Sequence, residues 1–482
     1  MAGVSGIGSG LDIDSIVAGM VAAERAPKET QLANLEKKTT TQITAVGALK
    51  GAISDFQTAL AALNKPELFQ ARSATSSKSD LVGVTATTTA GAGSYQLEVK
   101  SLASSSKVAL AAIPNTAEAP ARFTSGTFEV SLGVPGIPPA PNTKESFSVT
   151  IDENNNTLAG VRDAINTAGK DMSVSATIVT DEYGSRLVLS SSKTGAGRDI
   201  TVTATGAGEP GLIGLSALNF TGTSGTGKDG RVLTSAQSAE LYVDGLKVIS
   251  ETNKVDGAIE GITLDLKAKT VANEPLTIAV AEDKAGVKKQ IQSFVDSYNK
   301  LIGVINAQTK VTSVGEGKTP VTGALVGDAT ARTLLNTIRN ELVNVQGDGA
   351  LRALTDIGIT TQKDGALAID SAKLDKAMAS NFGELAGLFT GDKGLASRLD
   401  AKLKPYTETG GILEQRNKAM TETITKIDDQ KEALTRRLAS LQERLYKQFN
   451  AMDLLVGQLS NTSSSLLASL ENLPWAANNS KK

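Results

Sequence analysis

Residues 412–460 read ILEQRNKAMTETITKIDDQKEALTRRLASLQERLYKQFNAMDLLVGQLS, and the spacing of their apolar residues decides the fold. Met420, Ile424, Ile427, Leu434, Leu438, Leu441, Leu445, Met452, Leu455 and Leu459 keep one register of alternating three- and four-residue steps, the period of a coiled-coil seam. A continuous helix from Ile412 to Leu470 would run on the order of 90 Å, longer than a compact core of the same chain can cover. It therefore needs a partner along its length. Lys431 and Gln448 fall on core positions of the seam. A polar residue there either fixes alignment or oligomer state at some loss of stability, or marks a local break in an intramolecular helical hairpin.

The other end of the chain has the same texture. Ile13, Ile16, Val17, Met20 and Val21 form an apolar helical stripe, with Asp12 as N-cap and Pro27 as the expected stop. A second run places Leu35, Val46, Leu49, Ile53, Phe56, Leu60 and Leu63 on seam positions before Pro66, with Thr39 and Gln42 interrupting. After Asp283 the pattern returns, with Val287, Ile291, Phe294, Tyr298, Leu301 and Ile305 on one stripe. A hairpin around Asp364-Gly365 and short helices at Asp375–Phe389 and Leu395–Lys404 are expected to follow.

Between the helical ends the chain is rich in Gly, Ser, Thr and β-branched residues. Ser94–Leu102 alternates as a strand. Ala239–Val243, Asp244-Gly245 and Leu246–Ser250 read as a hairpin with Ile262–Lys267 close by. Phe147–Ile151, Val174–Val179 and Arg186–Leu189 read as strands around a helix from Leu158 to Thr167, one α+β unit. Val134–Pro141 and Thr205–Gly230 read as linkers or surface loops. The expected fold class is α+β multidomain. Terminal helices pair into a helical, coiled-coil leg, and nested β-rich head domains are inserted between them.

Composition narrows function. The chain has 482 residues, 49 basic and 51 acidic, and a net charge of -2, so no global field attracts nucleic acid or anionic lipid. Histidine and cysteine are both absent, which removes imidazole bases, Ser-His-Asp and Cys-His nucleophiles, thiolate zinc sites and disulfides. No apolar run approaches the roughly 18–20 residues of a membrane span. The first basic residue is Arg25, so no Sec-type leader is evident and another export route is expected.

Local motifs favour structural readings. Gly6-Ile7-Gly8-Ser9-Gly10 lacks the preceding strand and following Lys of a phosphate loop. In Ser190–Gly195 an SxxK and a KTG string share one lysine, which makes a surface turn. Asp152, Asn154 and Asn156 have calcium-loop spacing, but Thr157 and Asp163 stand where Gly and Glu are needed, so an Asn-rich capping turn is expected. Asp181-Glu182 and Asp428-Asp429 are paired carboxylates of the kind glycosidases use, expected here as a turn and an exposed helix face. No catalytic, cofactor or metal residue is assigned.

Gly8-Ser9-Gly10-Leu11-Asp12, Ile16-Val17 and Glu24-Arg25-Ala26-Pro27 resemble the N-terminal signature of the flagellar filament cap family, also called flagellar hook-associated protein 2. The resemblance continues through Gly93-Ser94-Tyr95, Ser101-Leu102-Ala103, Leu241–Gly245 and Glu260–Leu264 to the C-terminal coiled coil. It implies a ring-shaped homo-oligomer at the distal tip of the bacterial flagellum, promoting flagellin polymerisation and preventing loss of exported flagellin. Flagellin, hook-filament junction proteins and an export chaperone at the C-terminal region are the implied partners, and the flagellar type III system the implied export route. The region near residues 146–203 further resembles the insert of flagellins. The expected organisation is terminal helices at 1–40 and 430–482, mobile until neighbours cover them, then a helical leg at 41–78 and 284–429. A β-rich head at 79–108 and 233–283 and an outer head at 109–232 complete it. The seam residues expected to meet other copies or the filament are Leu11, Ile16, Val17, Met20, Val46, Leu49, Ile53, Phe56 and Leu60, with Ile424, Ile427, Leu434, Leu438, Leu441, Leu445, Met452, Leu455 and Leu459 at the other end. The alternative is a surface adhesin whose β head binds host glycans or mucin.

Overall fold

The computed structural model describes residues 10–133, 145–206, 208–315, 317–344 and 349–471. The chain divides into two compact units, Glu67–Lys284 and Met1–Pro66 with Ala285–Lys482, so a β-rich unit is inserted in sequence into a helical one. Helices α1 (Ile13–Leu63) and α2 (Pro66–Gln70) come first. Strands β1 (Arg72–Ser76), β2 (Val82–Ala86), β3 (Gly93–Ser101), β4 (Ser105–Ala109), β5 (Gly126–Leu132) and β6 (Glu145–Ile151) precede α3 (Leu158–Ala168). Then come β7 (Val174–Asp181), β8 (Gly184–Thr194), β9 (Ile200–Gly206), β10 (Arg231–Thr234), β11 (Ala239–Val243), β12 (Leu246–Ser250), β13 (Lys254–Ile259), β14 (Ile262–Leu266) and β15 (Leu276–Glu282). The return comprises α4 (Lys284–Thr309), hairpin β16 (Val311–Thr312) and β17 (Val321–Thr322), α5 (Ala329–Val343) and hairpin β18 (Ile359–Thr361) and β19 (Leu367–Ile369). It ends with α6 (Ser371–Ser380), α7 (Phe382–Phe389), α8 (Leu395–Thr407) and α9 (Ile412–Glu471).

The helical unit is centred on aromatic rings. All six stripe residues read on α4, Val287 through Ile305, are buried. The Phe294 ring lies 5.7 Å from Phe56 of α1 and 6.2 Å from Phe389 of α7, and Tyr298 lies 5.9 Å from Phe56. Early and late parts of the chain thus share one core. The Tyr298 hydroxyl donates to the Gly365 carbonyl at 2.8 Å, and Asn299 clamps β19 through the Leu367 amide at 2.7 Å and carbonyl at 2.9 Å. Asp328 caps α5 by accepting from the Ala331 amide at 2.9 Å, and it also accepts from both arms of the Arg416 guanidinium on α9. Burial works against the Asp328 charge, but Arg416 and the cap amide outweigh it and hold the carboxyl below its ordinary value.

Two helical expectations are corrected. Pro27 does not stop the first helix, because α1 runs through it. A proline inside a helix removes one backbone hydrogen bond, a loss of ~3 kcal/mol. Here Val21 and Leu32, buried on either side of Pro27, hold both halves in place. The run from Asp375 to Phe389 is two helices, α6 and α7, separated at Asn381, whose amide bonds back to Ala377.

In the β-rich unit, sheet β1-β15-β3-β11-β12 and sheet β13-β14-β2 share one core, with Leu97, Val99, Leu241, Leu264 and Ile278 at its centre. The Asp244-Gly245 turn has φ of +48° and +82°, the left-handed pair that a two-residue hairpin requires. A second core holds β10-β4-β8-β7, β6-β5-β9 and α3 together around Phe123, Phe128, Val161, Leu187 and Ile200. Arg186, 1 % exposed, donates there to Asp181 Oδ2 at 2.6 Å and to the carbonyls of Leu110 at 3.1 Å, Asp229 at 2.6 Å and Gly227.

Other expectations change here. The strand at Phe147–Ile151 lies in a different sheet from those at Val174 and Arg186, though all border one core. Thr205–Gly230 is not only loop, since Leu215, Leu218 and Phe220 are buried in that core. Strand β1 pairs with β15, so residues expected in the leg up to 78 join the β-rich unit from Glu67 onward. The Asn-rich turn caps α3, with Thr157 accepting from the Gly160 amide at 3.0 Å. Among the described residues, no group of three or more acidic side chains is placed to hold a metal. Val134–Pro141 lies outside the described residues.

Candidate functional site: the terminal helix pair

Gly10 adopts a φ of +70° with nothing near the position of a Cβ, a backbone turn that favours glycine immediately before Leu11 and Asp12. Asp12 then caps α1: its carboxylate accepts from the Ser15 amide at 3.0 Å and the Ser15 hydroxyl at 2.6 Å. Those bonds hold the Asp12 carboxyl below its ordinary value. Gly8 and Ser9 lie outside the described residues.

Helices α1 and α9 run antiparallel. Lys50 meets Glu414 at 3.6 Å, Glu36 meets Lys431 at 2.5 Å, and Glu24 meets Arg437 at 2.8 Å. Further along, Ile13, Val17 and Val21 bury against Leu438 and Leu445, with Leu434, Leu441, Tyr446 and Phe449 packed around them. The Tyr446 phenol is pushed up by its hydrogen bond to Asp14. The polar core position at Lys431 is therefore answered within one chain, by Glu36, whose hydrogen bond raises the Lys431 ammonium above its ordinary value. Gln448, the second polar core position, is exposed.

The expectation that a single chain leaves both seams uncovered is corrected. On α9, Ile427, Leu438 and Leu445 are buried, and Met420, Ile424, Leu434 and Leu441 are half-buried. Val46, Leu49, Ile53, Phe56 and Leu60 are wholly buried in the helical unit of the same chain and present no seam to a neighbour. Val17 is buried and Ile16 half-buried, whereas Leu11 and Met20 are exposed. The uncovered part of α9 lies beyond Phe449. Met452, Leu455 (58 %) and Leu459 (66 %) are exposed, and so are Leu454, Leu466, Leu467 and Leu470, which the register alone did not single out. Their signal was composition: residues 454–470 hold six leucines and one valine.

Between the paired portions lies a groove of about 380 Å³, floored by Leu32, Leu35, Ala433 and Leu434 and rimmed by Lys28 and Arg437. No helix of the described residues is long and apolar enough to cross a membrane.

An inserted β-rich unit, a helical unit built from both chain ends, and a long terminal helix with an uncovered apolar stripe define an assembly protein. Family models of the flagellar hook-associated protein 2 N-terminus and C-terminus match residues 9–106 and 236–461. The B-type flagellar hook-associated protein 2 of Pseudomonas aeruginosa is 48 % identical over 482 residues, covering 99 % of each chain. That of Salmonella typhimurium is 31 % identical over 477 residues, covering 97 % of this chain and 98 % of the relative. The crystal structure of the flagellar cap protein D1-D2-D3 domains from Escherichia coli matches with a TM-score of 0.59 at 27 % identity, covering 78 % of this chain and 99 % of that one. The chain belongs to the flagellar hook-associated protein 2 family, whose members are structural flagellar proteins and not enzymes.

Proposed function

We propose that this protein caps the growing flagellar filament, with copies forming a ring at the distal tip that promotes flagellin polymerisation and keeps exported flagellin from escaping. The solved relative from Escherichia coli is a flagellar cap protein, which supports this reading. The observation that carries the mechanism is the stripe from Met452 to Leu470, left exposed on a helix that α1 accompanies only as far as Phe449. Each exposed leucine forgoes about 1.5–3 kcal/mol of burial, so the stripe gains most when a neighbouring subunit covers it. Contacts to other copies, to flagellin and to hook-filament junction proteins then run through Leu11, Met20, Met452, Leu455 and Leu459. Release and re-docking of this end as subunits are added lets the cap advance, which a rigid plug does not allow. Export by the flagellar type III system, with a chaperone shielding the C-terminal region, fits the same stripe. The adhesin alternative draws no support from the comparisons.

The test is complementation of cells lacking their own cap protein. Chains ending at Asn450 are expected to give no filaments and to release flagellin into the medium. Normal filaments and motility from that truncation would overturn the proposal.

A further inference from the structure

We infer that the distal part of α9 in one copy, Met452–Leu470, lies in the groove between α1 and α9 of a second copy. This rests on the ring reading above and names its interface. Three observations carry it. The groove is a third-helix position: Leu35 is 43 % exposed beside the small Ala433, and Leu32 and Leu434 form an apolar floor. The stripe is apolar, with Leu455, Leu459 and Leu466 all exposed. The charges match as well. Between Asn450 and Glu471 the ionisable residues are Asp453 and Glu471, both acidic, whereas Lys28 rims the groove beside Arg437, which already pairs with Glu24.

The contact is between copies. Leu434 and Leu459 sit on the same helix 25 positions apart, about 37 Å at the rise of an α-helix, so the stripe cannot fold back into the groove of its own chain. Donor and acceptor surfaces are different patches. Such an interface is head-to-tail, which closes into a ring or propagates as an open helix.

The natural absence of cysteine makes the test direct. Full-length Leu35→Cys and Leu459→Cys chains are purified, mixed and oxidised, and the wild-type chain is followed in parallel by sedimentation velocity. A disulfide needs Cα atoms within about 7 Å. The expected result is a cross-linked dimer in the mixture only, and a ladder of larger species from the double variant. Leu459→Cys chains that link only to themselves show parallel pairing of the distal helices and overturn the groove contact. A wild-type oligomer without the mixed cross-link also overturns the groove contact and leaves the ring reading standing. A wild-type chain that stays monomeric at every concentration overturns both. As a second readout, Lys28→Glu, a charge reversal at an exposed rim position, is expected to weaken wild-type self-association, and unchanged association counts against the charge match.

Discussion

Lys431 of α9 donates to Glu36 of α1 at 2.5 Å, placing a charged pair on a largely apolar seam. The pair is more than a third exposed on both sides, so solvent screening leaves it little direct weight in stability. Its value is in alignment, because a one-turn slip of either helix separates the charges. Lys431→Glu is expected to fray the α1–α9 pair, read as faster amide exchange around Leu32 and Leu434, and adding Glu36→Lys is expected to restore protection. Equal protection in all three chains would mean that the pair does not set the register.

This relationship marks the limit of what the sequence made legible. The period of α9 and the stripe on α4 were readable because buried residues recur at helical spacing whatever they pack against. The answer to Lys431 was not, since Glu36 lies 395 positions away and only the antiparallel pairing brings it near. Pro27 misled for the same reason: local geometry argues for a stop, and packing on both sides overrides it. Strand β9 went unread because its partner β5 lies far back along the chain, with Leu132 opposite Ile200 and Gly126 opposite Gly206. Leu215, Leu218 and Phe220 were hidden among glycines, where turn composition masked three core side chains.

Phe56 is wholly buried at the meeting of α1, α4 and α7. Phe56→Ala removes a ring from a centre with no other chain to fill it, and a loss of about 3–5 kcal/mol is expected. Urea unfolding followed by tyrosine fluorescence checks this, with Tyr298 as a nearby reporter. A loss below about 1 kcal/mol, on the order of a surface substitution, would show that the site collapses around the gap.

Arg186 binds four carbonyls, those of Leu110, Gly227, Lys228 and Asp229, and Asp181 from a position almost closed to solvent. Arg186→Met leaves those acceptors without a donor and Asp181 without its closest partner. A destabilisation of about 3–5 kcal/mol is expected for this buried charge. Arg186→Lys is expected to rescue little, because one ammonium cannot span the same fork of acceptors. Thermal unfolding of the two variants side by side is the measurement.

Burial pushes the Tyr298 phenol up to about 12. Its neutral form is favoured in the fold, so its contribution is fully present below the unfolded value near ~10 and is lost as pH rises through 12. An ultraviolet titration is expected to lose its latest phenol in Tyr298→Phe. That variant also leaves the Gly365 carbonyl unmet, a loss of about 1–3 kcal/mol below pH ~10.

Two truncations separate folding from assembly. Ending the chain at Asn450 removes Met452, Leu455 and Leu459, which are exposed, and keeps Leu438 and Leu445 against Ile13 and Val17. The thermal midpoint is expected to stay within a few degrees of the full chain, while self-association is lost. Ending it at Asp429 also strips Leu438 and Leu445 from the seam, each worth about 1.5–3 kcal/mol of burial. With Ile13, Val17 and Val21 then facing water, the first turns of α1 are expected to melt, seen as a drop in helical circular dichroism larger than the deleted residues account for. If both truncations lower the midpoint equally, the distal stripe is part of the folded chain's own core, and the division at Phe449 between a folding segment and an assembling one fails.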